Sequence, residues 1–434
     1  MVAVFLNSWA LFLGLLLLML GNGIQGTLLG VRGAIEGFDA TTMSWVMSAY
    51  FAGFLAGSRL APKMIQNVGH VRVFAALGSL ISAAFILYAA FPNPFAWAAM
   101  RLIVGFCFSG VYVVCESWLN GAATNETRGK TLSLYVIVQM AGVVSAQAFI
   151  NFADPADYAL FVLISVLVSI SFAPILLSAT PAPVFQTTKP MTLRKLVETS
   201  PLGSFGMFFL GGMFAAMFGM SAVYGAEKGL SISDISLFVA VIYSGGLLLQ
   251  YPIGWLSDRM DRRQLIAHVC LAGGVVMVVG LLFSSDFYVL MVAGFVMGGL
   301  SNPLYSLLIA YTADYLESDD MAAASGGLMF INGCGAVLGP FIVGTLMTQF
   351  GPDYYFAFMA FCFGAVAIYA YYRMSQRAAP SVDETGAYAY VTPQATPVVM
   401  EVAQEYAIEL AEEDLDDGSD DRPGQGLADE ETGD

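Results

Sequence analysis

Residues 1–31, MVAVFLNSWALFLGLLLLMLGNGIQGTLLGV, contain no charged side chain, and the first one met along the chain is Arg32. A bilayer-crossing helix needs about 20 mostly apolar residues, more than a helix in a water-soluble core requires, so this run reads as a transmembrane span. The pattern recurs. Charge-free stretches lie between Asp39 and Arg59, Thr131 and Ala153, Tyr158 and Thr188, Thr199 and Ala226, and Ile235 and Ser257, and others begin at Gln264, Phe287, Met321 and Tyr354. The stretch from Val73 to Met100 is too long for one span and is broken by Pro92, Asn93 and Pro94, which read as a turn. The expected fold is an all-α membrane protein of twelve transmembrane helices, at residues 5–30, 43–62, 73–91, 97–119, 131–152, 158–178, 203–225, 235–256, 265–284, 287–312, 323–349 and 355–374.

Composition agrees. Of 434 residues 58% are hydrophobic and 12% charged, whereas a soluble domain is about half apolar and a quarter charged. The opening lacks a basic n-region and its apolar run exceeds a secretory h-region, so span 1 is expected to stay. All five cysteines fall in predicted helices as packing material, with no disulfide or metal framework implied. Basic loops resist translocation. With the N-terminus inside, all of the 17 basic residues except Arg32, Lys228 and Arg101 are cytoplasmic, and an even number of spans returns the C-terminus to the same side of the inner membrane. The net charge of −16 is concentrated: residues 375–434 hold 16 acids and two bases, or −14. A tail so acidic and poor in apolar residues is expected to be disordered.

The chain divides into a first six-helix half (1–179), a cytoplasmic linker (180–202), a second half (203–374) and the acidic tail (375–434). Gly105-Phe106 with Gly110 in span 4 repeats as Gly294-Phe295 with Gly299 in span 10, which supports two related halves. The loop from Gly254 to Arg263, GWLSDRMDRR, resembles the G-x-L-x-D-R-x-G-R-R signature of the major facilitator superfamily, with Asp261 in place of the second glycine. Arg101 to Gly105, RLIVG, resembles the R-x-x-x-G motif that the same superfamily carries in its fourth helix. Glu116 to Asn120, ESWLN, followed by Arg128-Gly129, resembles a poorly characterised bacterial subgroup. The resemblance covers residues 1–375 and implies two pseudo-symmetric bundles working by alternating access. The matching first-half loop starts Gly57-Ser-Arg59-Leu-Ala-Pro62-Lys63 and runs on to His70, with Pro62 where the aspartate is expected. Span 5 has Gly142 but no Gly-Pro pair, so the antiporter signature of drug exporters is absent. A related string, Gly335 to Pro340, sits in span 11.

A guanidinium inside a span is expensive unless it meets a cavity or a partner, which singles out Arg101. At about 100° per residue Gly105, Tyr112 and Glu116 share its face. Arg101 either binds substrate or caps backbone carbonyls. Glu116 lies about 22 Å deeper, near the cytoplasmic mouth, where access to water favours an interfacial partner for Arg128 or Lys130 over a proton-coupling carboxylate. Asn22 and Gln25 sit among glycines in span 1, as a cavity wall or as glue against span 5. Gln139 and Gln147 share a face of span 5, Asn302 and Tyr305 lie in span 10, and Asn332 lies in span 11; these complete the substrate-binding candidates, with Tyr50, Tyr224 and Tyr243 as further hydroxyls. Asp258, Arg259, Arg262 and Arg263 resemble the superfamily's cytoplasmic gate, the alternative being plain topology determination.

No metal-ligand spacing surrounds His70 or His268 and no phosphate-binding loop is present, so no enzymatic activity and no cofactor are expected. The expected function is secondary active transport of a small polar or anionic solute, coupled to protons or another ion. A transport-fold sensor and a drug exporter are the alternatives. The expected partners are the solute, the coupling ion and the lipid bilayer, with no nucleic acid, and the chain is read as a monomer.

Overall fold

The computed structural model describes residues 2–122, 125–177, 191–316, 318–376, 388 and 391. The predicted disorder of the tail falls on residues that lie almost wholly outside this set, as does most of the linker. Each of the twelve predicted stretches is helical. The helices are α1 (Val2–Ile35), α2 (Ala40–Val68), α3 (His70–Ala90), α4 (Pro94–Ala122), α5 (Asn125–Phe149), α6 (Ala159–Leu177), α7 (Leu193–Thr199), α8 (Pro201–Ala215), α9 (Ser221–Glu227), α10 (Ile232–Ser257), α11 (Arg262–Phe283), α12 (Phe287–Ala313), α13 (Ser318–Phe350) and α14 (Tyr354–Met374). A π turn, Ala216–Met220, joins α8 to α9 in one apolar rod, Pro201–Glu227. By length and composition, ten helices among the described residues can cross a membrane; α2 is more polar, and the apolar part of α6 is the shorter Ala159–Pro174. The protein is an all-α, multi-pass membrane protein.

Two stretches differ from expectation. The segment after Pro62 was expected as loop but continues α2 to Val68, and the break comes at Gly69, whose φ of 87° suits a residue without a Cβ. The end of the predicted linker forms α7, capped by the Thr192 hydroxyl on the Lys195 amide. It docks by burying Leu196 beside Gly327 and by a 2.6 Å ion pair from Lys195 to Asp320.

Without a hydrophobic force between helices in lipid, association rests on close packing, which small residues permit. Here glycines face each other across helix crossings. A Cβ on Gly53 would lie 1.9 Å from the Leu102 carbonyl oxygen, and one on Gly105 1.9 Å from that of Tyr50, so α2 and α4 touch backbone to backbone. Gly245 and Gly298 do the same for α10 and α12, at 2.0 and 1.9 Å from the Phe295 and Ile242 oxygens. Gly211 and Gly335 do so for α8 and α13, each at 1.9 Å. The sequence match of Gly105 with Gly294 does not carry over position by position, because the close approach in α12 is at Gly298, one turn further on.

The loops rich in lysine and arginine gather at one end of the bundle, here called the basic end. The tightest contacts between helices before residue 178 and those after 191 lie toward the opposite end. Thr41 Oγ1 is 2.9 Å from Thr348 Oγ1, Asn151 is bonded to Ser233 and Ser236, and Gly30 and Gly344 press on Ala222 and Ser44. That end is shut.

Candidate functional site

Between the two sets of helices lies a central cavity of about 100 Å³. Helices α1, α2 and α4 supply Asn22, Thr27, Tyr50, Phe51, Phe54 and Arg101; α8 to α10 with the π turn supply Phe214, Met217, Phe218, Ser221 and Tyr243; α13 supplies Met329 and Asn332.

Among the described residues Arg101 is the only charged one lining it, and it is 4% exposed. Its guanidinium carbon sits 4.5 Å from the centre of the Tyr50 ring, a cation–π contact, and Nη2 donates to the Met47 sulfur at 3.3 Å. Nε has no hydrogen-bond partner among the described residues. A thioether and a ring face are weak acceptors for a buried cation, so the arginine retains hydrogen-bonding capacity for an anion. Across the cavity Phe214, Phe218 and Tyr243 stack nearly parallel, with centroids 5.6 and 5.1 Å apart and planes 11° and 13° apart. The π turn carries Phe218 into this stack, and such turns recur at functional sites.

Of the residues predicted for the substrate site, the structure brings Asn22, Arg101 and Asn332 to the cavity wall, together with Tyr50 and Tyr243. The others lie elsewhere. Gln25 donates to the Tyr88 hydroxyl at 3.4 Å. Gln147 ties α5 to α1, accepting from Thr27 at 2.7 Å and donating to the Gly23 carbonyl. Gln139 is buried, and Asn302 donates to the Gly298 carbonyl of its own helix. Tyr112 donates to the Met19 sulfur, and Tyr305 packs on Phe214. Phe214, Met217, Phe218 and Met329 were missed, because an aromatic or Met residue in an apolar helix carries no sign that it faces a cavity rather than lipid.

Glu116 does not have the expected access to water: it is 1% exposed and accepts a 2.7 Å bond from the Tyr135 hydroxyl. At the basic end, Arg262 is paired with Asp314, the C-cap residue of α12, and bonded to Ser257. Asp261, in place of a glycine, caps α11 through the Arg263 amide at 2.9 Å and holds the Arg263 guanidinium at 3.0 Å. Arg259 folds back over Trp255, and Asp258 accepts from the Tyr388 amide.

Helices packed around one central cavity, with a buried cation on its wall, make a membrane transporter. The chain belongs to the Major Facilitator Superfamily, whose profile matches residues 11–243 and 202–399. It is 26% identical over 353 residues to the uncharacterized MFS-type transporter YcaD of Escherichia fergusonii, covering 80% of this chain and 90% of that one, and equally to YcaD of Escherichia coli K12. In fold it is similar to the nucleoside transporter NupG, with a TM-score of 0.66, 16% identity and coverage of 85% and 98%. It is also similar to a bacterial homolog of the human lysosomal transporter Spinster in an inward-facing, occupied conformation, with a TM-score of 0.64, 15% identity and coverage of 97% and 99%. The protein is thus a secondary transporter of the major facilitator fold that moves a solute across the membrane.

Proposed function

We propose that the solute is a small organic anion with a flat apolar body, moved across the inner membrane by alternating access between two six-helix halves, residues 1–179 and 203–374. The linker, the tail and both termini are then cytoplasmic, the basic end faces the cytoplasm, and the state described is open inward. The observation that carries the reading is Arg101, a buried guanidinium on the cavity wall with an unpartnered Nε. A carboxylate beside it gains charge-assisted hydrogen bonds in a low-dielectric site, and Asn22 and Asn332 add polar contacts. The aromatic stack opposite offers a flat surface, with each ring contact worth about 0.5–1.5 kcal/mol beyond area burial. A thermal-shift screen of purified protein tests this by pairing aromatic carboxylates with their uncharged amides. Carboxylates are expected to raise the melting temperature and the amides to leave it unchanged; equal effects would remove the anion from the proposal.

Glu116 is the proposed coupling residue, an ionisable side chain in the membrane interior bonded to the Tyr135 phenol. In proteoliposomes, Glu116→Gln is expected to abolish uphill accumulation while leaving downhill exchange of the same solute within about twofold, since only the proton-linked step is removed. Uphill uptake at the wild-type rate would return Glu116 to a structural role. The expected oligomeric state is a monomer.

A further inference from the structure

Two residues of the acidic tail are held against the wall of the basic mouth. Tyr388 donates its amide to Asp258 Oδ1 at 2.8 Å, accepts on its hydroxyl from Gln250 Nε2, and donates that hydroxyl to the Pro303 carbonyl at 3.4 Å. Its ring lies over Gly254, where a Cβ would come within 2.8 Å of it. Three residues on, the Ser306 hydroxyl both accepts from the Val391 amide at 2.9 Å and contacts the Val391 carbonyl at 3.1 Å, and Val391 is 1% exposed. Burial pushes the Tyr388 phenol above its ordinary value, so it docks as a neutral hydroxyl.

The place matters as much as the contacts. Gln250 and Gly254 follow Tyr243 on α10 by seven and eleven residues, which puts all three within about 20° of one line along the helix. Tyr243 lines the central cavity, so Tyr388 rests on the same wall about 10–16 Å nearer the basic end. We propose that the seam of Gln250, Gly254, Asp258, Pro303 and Ser306 is a binding site for the chain's own Tyr388 and Val391, and that its occupancy by these two residues props the basic mouth open. In alternating access the two sets of helices must close on each other at this mouth. Tyr388 and Val391 fill room that closure needs, so docking favours the state in which the opposite end stays shut. Asp258 thereby acquires a second role: its carboxylate is engaged by the tail in the described state. The inference takes alternating access from the proposed function, but neither readout below needs the solute.

The full-length protein in lipid nanodiscs, with the partly exposed Cys334 replaced by alanine, provides the test. Ser306→Cys with Val391→Cys is expected to form an intramolecular disulfide on mild oxidation, seen as a linked peptide by mass spectrometry, and Tyr388→Ala should reduce it several-fold. Separately, spin labels at Thr41→Cys and Thr348→Cys report the shut end. There, Tyr388→Ala with Val391→Asp is expected to move population from short to long distances. A chain ending at residue 387 should do the same, which guards against a local effect of the double substitution. No disulfide, a disulfide indifferent to Tyr388, or a distance distribution that neither tail change alters would overturn the proposal.

Discussion

Arg101→Met is expected to remove binding of the anionic solute while leaving the unliganded protein as stable as the wild type or more so. The two halves of this result arise from the same geometry. A buried guanidinium whose partners are a ring face and a thioether is poorly compensated, and replacing buried charges by apolar side chains of similar shape is often neutral or stabilising. Giving up the cation–π interaction with Tyr50 costs only about 1–2 kcal/mol against that gain. Taking one partner from a desolvated charge pair costs about 2–5 kcal/mol, so affinity should fall at least about 30-fold. Arg101→Lys keeps the charge but gives up the planar fork, and should bind at an intermediate level. The measurement is the pair of melting temperatures, with and without a stabilising carboxylate, for each variant. A purely structural arginine would give the opposite pattern, with a marked fall in unliganded stability and ligand shifts unchanged in whatever remains folded.

The second large effect is on the fold. Gly298→Ala adds one carbon, which would stand 1.9 Å from the Ile242 carbonyl oxygen. No rotamer change relieves a clash with backbone, so α10 and α12 must separate along their crossing, and the reciprocal approach at Gly245 opens with it. Overpacking in a close-packed interior costs about 1–3 kcal/mol and more where nothing can move aside, so a destabilisation of at least about 3 kcal/mol is expected. The control is Gly364→Ala in α14, where a Cβ meets nothing within 4 Å. There the better helix former should stabilise by about 0.4–1 kcal/mol. Size-exclusion profiles after graded heating in detergent rank the three proteins. Equal behaviour of the two variants would mean that the crossing is looser than described.

The spans were legible because a bilayer imposes a length and excludes charge, and both constraints are written in one dimension. Pro92-Asn93-Pro94 and the basic loops marked the ends for the same reason. The site was legible only where cost betrays it. Arg101 could be found because a guanidinium has no cheap place inside a span. The amides were ambiguous, since Asn22 and Asn332 reach the cavity while Gln25 and Gln147 spend their hydrogen bonds on neighbouring helices. Side-chain direction decides between these uses, and it depends on which helix lies opposite. The aromatic wall was invisible for the complementary reason: Phe214 and Phe218 are as apolar as any residue facing lipid.

The π turn at Ala216–Met220 has a consequence for how this rod is compared with its relatives. Its path is pinned at Gly211 against α13 and at Ala222 against Gly30, and between those points it holds one residue more than an α-helix of that length would. Each residue turns a helix by about 100°, so counting positions from one pinned point to the other as plain α-helix goes out of phase by that angle. An alignment that treats Pro201–Glu227 as uninterrupted would therefore pair Ser221 with a residue on the wrong face, and the gap that corrects it belongs inside the membrane rather than in a loop.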